Sequence, residues 1–320
     1  AALEEAERLW REIGNLPLLV DTLTNLAEIR QFAGQLAEAE TTVREAVRIA
    51  DLTGNTWGQS YSRGVLAQTN LFLGRYADAM READASAALG KQAGFSISQI
   101  WMPCHTAECL CDLGQPKQGL AVAREARRSA EAYLPSWRGY PLAIASICAT
   151  ATGDRVAADA ALAEARQATV KRDLSTLVIA LAEIEYAQVF GEPDAILATI
   201  AKVGDTLKGF GYLINQPILL SYMSESERAL GRLPEAEARA RDAIAMAARM
   251  GARRNAWRAW AALAEALRAQ GRAREAGEAI ARARAEIAYA SEQAGREDLR
   301  RSSLALPAIV CARAGAAHAV

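Results

Sequence analysis

Histidine is almost missing from this 320-residue chain: His105 and His318 are the only two. That leaves little material for a metal site or for histidine-based acid–base catalysis. Cysteine is sparse as well. Five thiols, an odd number, point to free cysteines in a reducing compartment, hence the cytoplasm, and not to a disulfide framework. No apolar run reaches the ~18 residues of a membrane span. Neither charge is in excess: 37 Lys+Arg against 38 Asp+Glu give a net charge of -1. A binder of nucleic acid would carry a clustered basic footprint. The first residues, Ala1 to Glu12, are acidic and amphipathic, unlike a signal peptide. Catalytic motifs are missing too. Gly90-Lys91 is followed by Gln92, so no phosphate-cradling loop forms there. Gly209-Phe-Gly211 lacks the third glycine of a dinucleotide loop, and Gly58-Gln-Ser60-Tyr-Ser62 lacks the last glycine of a nucleophile elbow. The residues therefore suggest neither an enzyme nor a bound cofactor or metal.

What the sequence does have is a period. A glycine followed by an Ala-rich amphipathic run recurs at Gly34, Gly74, Gly114, Gly153, Gly191, Gly231 and Gly271, with spacings of 40, 40, 39, 38, 40 and 40. A fixed period of this length is the signature of a solenoid. Before Gly34, the apolar residues Leu19, Leu23, Leu26 and Ile29 repeat at helical offsets. After it, Leu36, Ala39, Val43, Ala46, Val47 and Ala50 do the same. The glycine is expected to end a first helix, A, in a left-handed conformation. Pro116, Pro193 and Pro234 then fall in the first turn of helix B, where a missing N–H costs nothing. A second glycine, at Gly14, Gly54, Gly94 and Gly251, closes helix B. Pro103, Pro141 and Pro217 fall early in A helices and mark late starts or kinks. About sixteen helices are expected: a leading B, seven pairs and a trailing helix within Arg296 to Ala314, with a break at Pro307.

Small residues stand at fixed phase around each glycine. Seven before it are Ala27, Ala67, Ala107, Ser146, Ile184, Ser224 and Ala264. Five after it are Ala39, Ala79, Gly119, Ala158, Ile196, Ala236 and Ala276. Twelve after it are Ala46, Ser86, Ala126, Ala165, Val203, Ala243 and Ala283. Such positions let helices approach closely, and stacked repeats then share one continuous core. This pattern resembles the tetratricopeptide (TPR) repeat, with a period of forty where that family has about 34 and a degenerate fifth repeat. The resemblance implies an all-α, right-handed α-α superhelix over residues 1–320. Three segments sharpen the likeness: Leu9-Trp-Arg-Glu-Ile-Gly-Asn15, Met250-Gly-Ala-Arg-Arg-Asn-Ala-Trp257, and Asp298-Leu-Arg-Arg followed by Leu306-Pro307. They resemble the arrays of bacterial signalling proteins in which an ATPase core is joined to a nucleotide cyclase or a LuxR/MalT-type DNA-binding region. Gly14 is in phase with Gly54, so the chain opens in mid-repeat and is expected to be part of a longer protein.

The candidate site is a column. One residue after the small slot of each A helix stand Glu28, Gln68, Glu108, Ile147, Glu185, Glu225 and Glu265. In TPR arrays this phase tends to face the concave groove. Stacked carboxylates cost stability unless solvated or paired, so a groove that binds basic peptide segments would explain them. Tyr61, Trp101 and Tyr140, about two turns N-terminal, would supply apolar anchors. Glutamate is also simply a good solvent-facing helix former. The Cys104-His105, Glu108-Cys109 and Cys111 cluster reads as core and not as a zinc site, since no second cluster faces it. Residues 232–301 hold 15 Arg against 10 acidic residues, which reads as salt-linked surface helices or as a docking face for an acidic partner domain. Together these features suggest a module that binds a protein, peptide or ligand and reports to an ATPase or effector domain of the same chain. A stand-alone scaffold is the second reading, and an enzyme in a helical cavity the third.

Overall fold

The computed structural model describes residues 2–168, 174–191, 193–209 and 211–305. Among them the chain is helical throughout. The helices are α1 (Ala2–Ile13), α2 (Leu16–Phe32), α3 (Leu36–Thr53), α4 (Thr56–Phe72), α5 (Tyr76–Ala93), α6 (Ser98–Asp112), α7 (Pro116–Tyr133) and α8 (Gly139–Ala151). They continue as α9 (Arg155–Ala168), α10 (Leu174–Phe190), α11 (Pro193–Gly209), α12 (Gln216–Ala229), α13 (Leu233–Met250), α14 (Ala256–Ala269), α15 (Ala273–Glu292) and α16 (Glu297–Leu304). This is an all-α helical solenoid: a leading B helix, seven pairs and a trailing helix. His318, Cys311 and the Leu306-Pro307 break lie outside the described residues.

The local chemistry sets the boundaries. Gly54 ends α3 with φ 66°, a left-handed turn that side chains resist. Asn55 follows and caps α4 by accepting from Gly58 N at 3.0 Å. Asn15 does the same for α2, accepting from Leu18 N at 3.2 Å. Six of the seven repeat glycines have φ between 72° and 79°. Gly191 does not; a Cβ there would come within 2.7 Å of the Ala187 carbonyl oxygen, so close packing and not left-handed backbone asks for glycine. Pro141 and Pro217 stand in the first turns of α8 and α12, while Pro103 lies inside α6.

The small slots sit where helices touch. Ala27, Ala67, Ala107, Ala39 and Ala158 have essentially no exposed surface. Serine replaces alanine only with a bond to make. The Ser146 hydroxyl donates to Ala158 O at 3.0 Å, and Ser224 to Ala236 O at 2.7 Å, each joining slot to slot within a pair. Ser60 and Ser86 exchange reciprocal bonds to each other's carbonyls at 2.8 and 2.7 Å. A buried hydroxyl is tolerated when it is bonded.

The solenoid also closes on itself, which the repeat pattern does not announce. The carbonyl of Phe32, at the end of α2, accepts from Leu213 N at 2.8 Å and Ile214 N at 3.2 Å. One repeat later the Phe72 carbonyl accepts from Arg253 N at 3.0 Å and Arg254 N at 3.1 Å. Next, the Leu113 carbonyl accepts from the Ser302 hydroxyl at 2.6 Å, and Ala77 N donates to Gln293 O at 2.9 Å. The last carbonyls of a helix have no intrahelical partner. Here the loops of the later repeats supply one, repeat by repeat. Apolar side chains follow the same register: Leu36 and Phe72 share a cluster with Tyr212, Leu219 and Met250, and Leu113 shares one with Ala294 and Leu299.

Enlarging a slot tests the packing. Ala67→Leu forces α4 and α5 apart and is expected to cost about 1–3 kcal/mol. Urea unfolding followed by circular dichroism would show a lowered midpoint; an unchanged midpoint would mean that the slot is not tight.

Candidate functional site

Closure places the inner faces of the A helices opposite the later repeats. Two adjoining cavities remain between them. The larger, about 280 Å³, is lined from the first half by Phe72, Glu108 and Thr150 and from the second by Asn215, Arg254 and Arg258. The smaller, about 50 Å³, is bounded by Gln68, Trp101, His105, Glu108, Tyr140 and Tyr212. The size of the larger one lies at the lower end of the range for small-ligand sites.

The candidate column does not form one acidic strip. Glu28 lies apart from the larger cavity, half-buried, and its Oε2 accepts from the Tyr61 hydroxyl at 3.2 Å. Burial pushes its carboxyl above the ordinary value. Tyr61 meets the Trp57 ring at a tilt and the Phe95 ring edge to face. Gln68 is buried and accepts from Gln31 Nε2 at 2.5 Å. Trp101 and Tyr140 are core residues, 4% exposed each, reaching only the smaller cavity. Ile147 borders both cavities. Glu185 lines the larger one and accepts from the Tyr222 hydroxyl at 2.5 Å. Glu225 is bonded by the Gln188 amide, and burial raises its carboxyl. Glu265 pairs with Arg268 on its own helix. Thus Glu108 and Glu185 reach the larger cavity, while Glu28, Glu225 and Glu265 are held elsewhere by the chain's own donors.

Glu108 is the best-connected member. His105 Nδ1 donates to its Oε2 at 2.8 Å, and Arg254 Nη1 to its Oε1 at 3.1 Å. Arg254 Nε also donates to Asp112 Oδ2 at 2.6 Å. Burial alone would raise the Glu108 carboxyl; the Arg254 and His105 charges and bonds outweigh it and bring it down to about 2. Burial likewise opposes the charge on Arg254, and the two carboxylates hold it protonated. The geometry is that of a structural ion-pair network clamping α6 to the loop before α14. Within that loop, Asn255 is the one non-glycine residue with positive φ, 58°, among the described residues. Asparagine tolerates this conformation.

Arg254, Arg258, Thr150 and Asn215 are absent from the sequence-derived site. The Met250–Trp257 segment carried a hint, with its paired arginines ahead of an asparagine. Other arginines of this region behave as the charge pattern suggests: Arg241 pairs with Glu237, Arg272 with Glu237 and Glu275, and Arg274 with Glu278, all at the surface. A single sulfur faces the cysteine cluster: Cys111 Sγ lies 2.9 Å from Cys148 Sγ on α8. The Cys148 contact and burial together raise the Cys111 thiol, and burial raises those of Cys104 and Cys109. No group of three or more His, Cys, Asp or Glu among the described residues is placed to hold a metal ion.

The ion pairs set the pH response. Glu108 has a lowered value in the folded chain, so its stabilisation is complete above the unfolded carboxylate value of ~4.3 and is lost as pH falls toward about 2. Arg254→Met strands two carboxylates and is expected to cost about 3–5 kcal/mol at neutral pH. Melting curves between neutral pH and pH 2 should show a shallower acid slope in that variant. An unchanged slope would exclude Glu108 as a contributor. Glu28 has the opposite sign: its raised value favours the fold below the unfolded value, and that benefit disappears as pH rises through the folded one. Glu28→Gln is therefore expected to melt higher than the wild-type chain at neutral pH and equally at pH 4, by differential scanning calorimetry.

No family model matches the sequence, and no curated protein matches it. Among solved structures the chain is similar to a Rap protein, solved complexed with competence and sporulation factor. The TM-score is 0.66 at 11% identity, over 86% of this chain and 76% of that one. At such identity the likeness is one of fold: a TPR-like helical repeat array.

Proposed function

We propose that this chain is a ligand- or peptide-binding regulatory module of a bacterial signalling protein, with the interior cavity as its site. The observation that carries this reading is the position of the 280 Å³ cavity between the two halves of the closed solenoid, lined by both. In an open repeat array each repeat touches only its neighbours. A ligand contacting both halves here would bind the closed form more tightly than an opened one, and would shift the population accordingly. That shift is the signal, passed to an ATPase or effector domain on the same parent chain. The Rap protein of similar fold was solved with competence and sporulation factor, which supports a peptide or protein partner. No helix among the described residues is long and apolar enough to cross a membrane; we place the module in the cytoplasm on its free thiols. We assign it no catalysis, because Glu108, Asp112 and Glu185 are engaged as ion-pair and hydrogen-bond partners.

The test is native mass spectrometry of the chain after incubation with the low-mass fraction of a source-cell lysate, joined to amide exchange. A retained ligand should slow exchange at Arg253 and Arg254, whose N–H groups close the halves. It should be lost in Ile218→Trp, which fills the cavity. Retention by both proteins would place binding elsewhere. Retention without slowed exchange would remove the signalling step.

A further inference from the structure

Arg258 has neither a hydrogen-bond nor an ion-pair partner among the described residues. It stands in the first turn of α14 and lines the larger cavity. Its guanidinium makes no hydrogen bond and no ion pair with another described residue, and its Nε is buried and unpartnered. Arg254, four residues earlier, is paired with both Asp112 and Glu108. Arg258 instead lies over the rings of Trp257, at 4.9 Å, and Tyr222, at 5.6 Å. Such stacking satisfies the cation and leaves its N–H donors free. Glu185 and Glu225 are near enough to help hold it charged. Their hydrogen bonds, however, go to Tyr222 and Gln188. Across the cavity the Thr150 hydroxyl of α8 is also buried and unbonded. Unmet buried polar groups are rare and call for a partner.

On the reading of the cavity as a ligand site, we infer that its ligand is a monocarboxylate, with the carboxylate on the Arg258 fork and the Thr150 hydroxyl as a second donor. A planar carboxylate matches the guanidinium edge with two parallel bonds. A dianionic phosphate suits it less, because Glu108, Asp112 and Glu185 already line the cavity beside Arg254 and Arg258. The α14 N-terminus adds a favourable dipole. Ile147, Leu181, Ile218 and Trp257 line the rest and suit an apolar body. A free carboxylic acid and the C-terminus of a peptide present this same chemistry.

The experiment titrates the whole chain calorimetrically with hexanoate, N-acetyl-leucine and acetyl-diglycyl-leucine, each against its uncharged amide. The expected result is about tenfold or stronger preference for at least one acid over its amide, abolished in Arg258→Met. Preference for hexanoate alone identifies a small-molecule source; preference confined to the acetyl-amino acid and the peptide identifies a chain terminus. Arg258→Met breaks no hydrogen bond and should melt only slightly lower than wild type without ligand, through the loss of its ring contacts. A clear loss of stability would make Arg258 a structural cation and overturn the inference. Equal binding of acid and amide, or no binding of any acid, overturns it in the wild-type protein, whatever the variant does. A lysate ligand still excluded by Ile218→Trp would then leave the cavity standing as a site for something other than a carboxylate.

Discussion

Orphan carbonyls at helix ends decide the shape of this protein. Each A helix must stop at a tight turn, and its last carbonyls then need donors. At Phe32 and Phe72 the donors are consecutive backbone N–H groups of a later repeat, Leu213–Ile214 and Arg253–Arg254. Because both sides carry the same repeat, the contact recurs in register, and a stack of weakly coupled pairs becomes a closed body. The Arg254 network with Glu108 and Asp112 and the apolar cluster around Phe72, Tyr212 and Met250 are built upon that register.

Closure changes what the inner residues do. In an open groove, glutamates at one phase would face solvent and attract a basic partner. Here closure brings Arg254 to Glu108, while Glu185 and Glu28 are met by Tyr222 and Tyr61 of the adjacent repeats. The chain itself supplies the cations and hydroxyls that a partner would have brought. Within the larger cavity the buried side-chain atoms left without a hydrogen bond are Arg258 Nε and the Thr150 hydroxyl.

The fold was legible because it is local. Glycine spacing, small slots and helix caps are properties of neighbouring residues, and they place the pairs from Leu16 to Glu292 with the expected trailing helix. Ser146 and Ser224 occupied small slots for a reason visible only in space, a bond to the facing carbonyl. The site was legible in fragments. Glu108, Glu185, Gln68, Trp101 and Tyr140 reach the cavities, whereas Arg254 and Arg258 were read as part of a charged surface. Periodicity reports which face of a helix is inward. It does not report which distant repeat will be waiting there.

The separation of the closing contacts has a kinetic meaning. Pairs within a repeat involve residues about one helix apart, so they form early and independently. Arg254 with Asp112 spans 142 residues, Ser302 with Leu113 spans 189, and Tyr289 with Leu73 spans 216. Contacts of such sequence separation require the largest loop closures before they repay them. An opened form that kept every repeat intact would break these contacts and leave the bonds within each pair, such as Ser146 to Ala158, untouched.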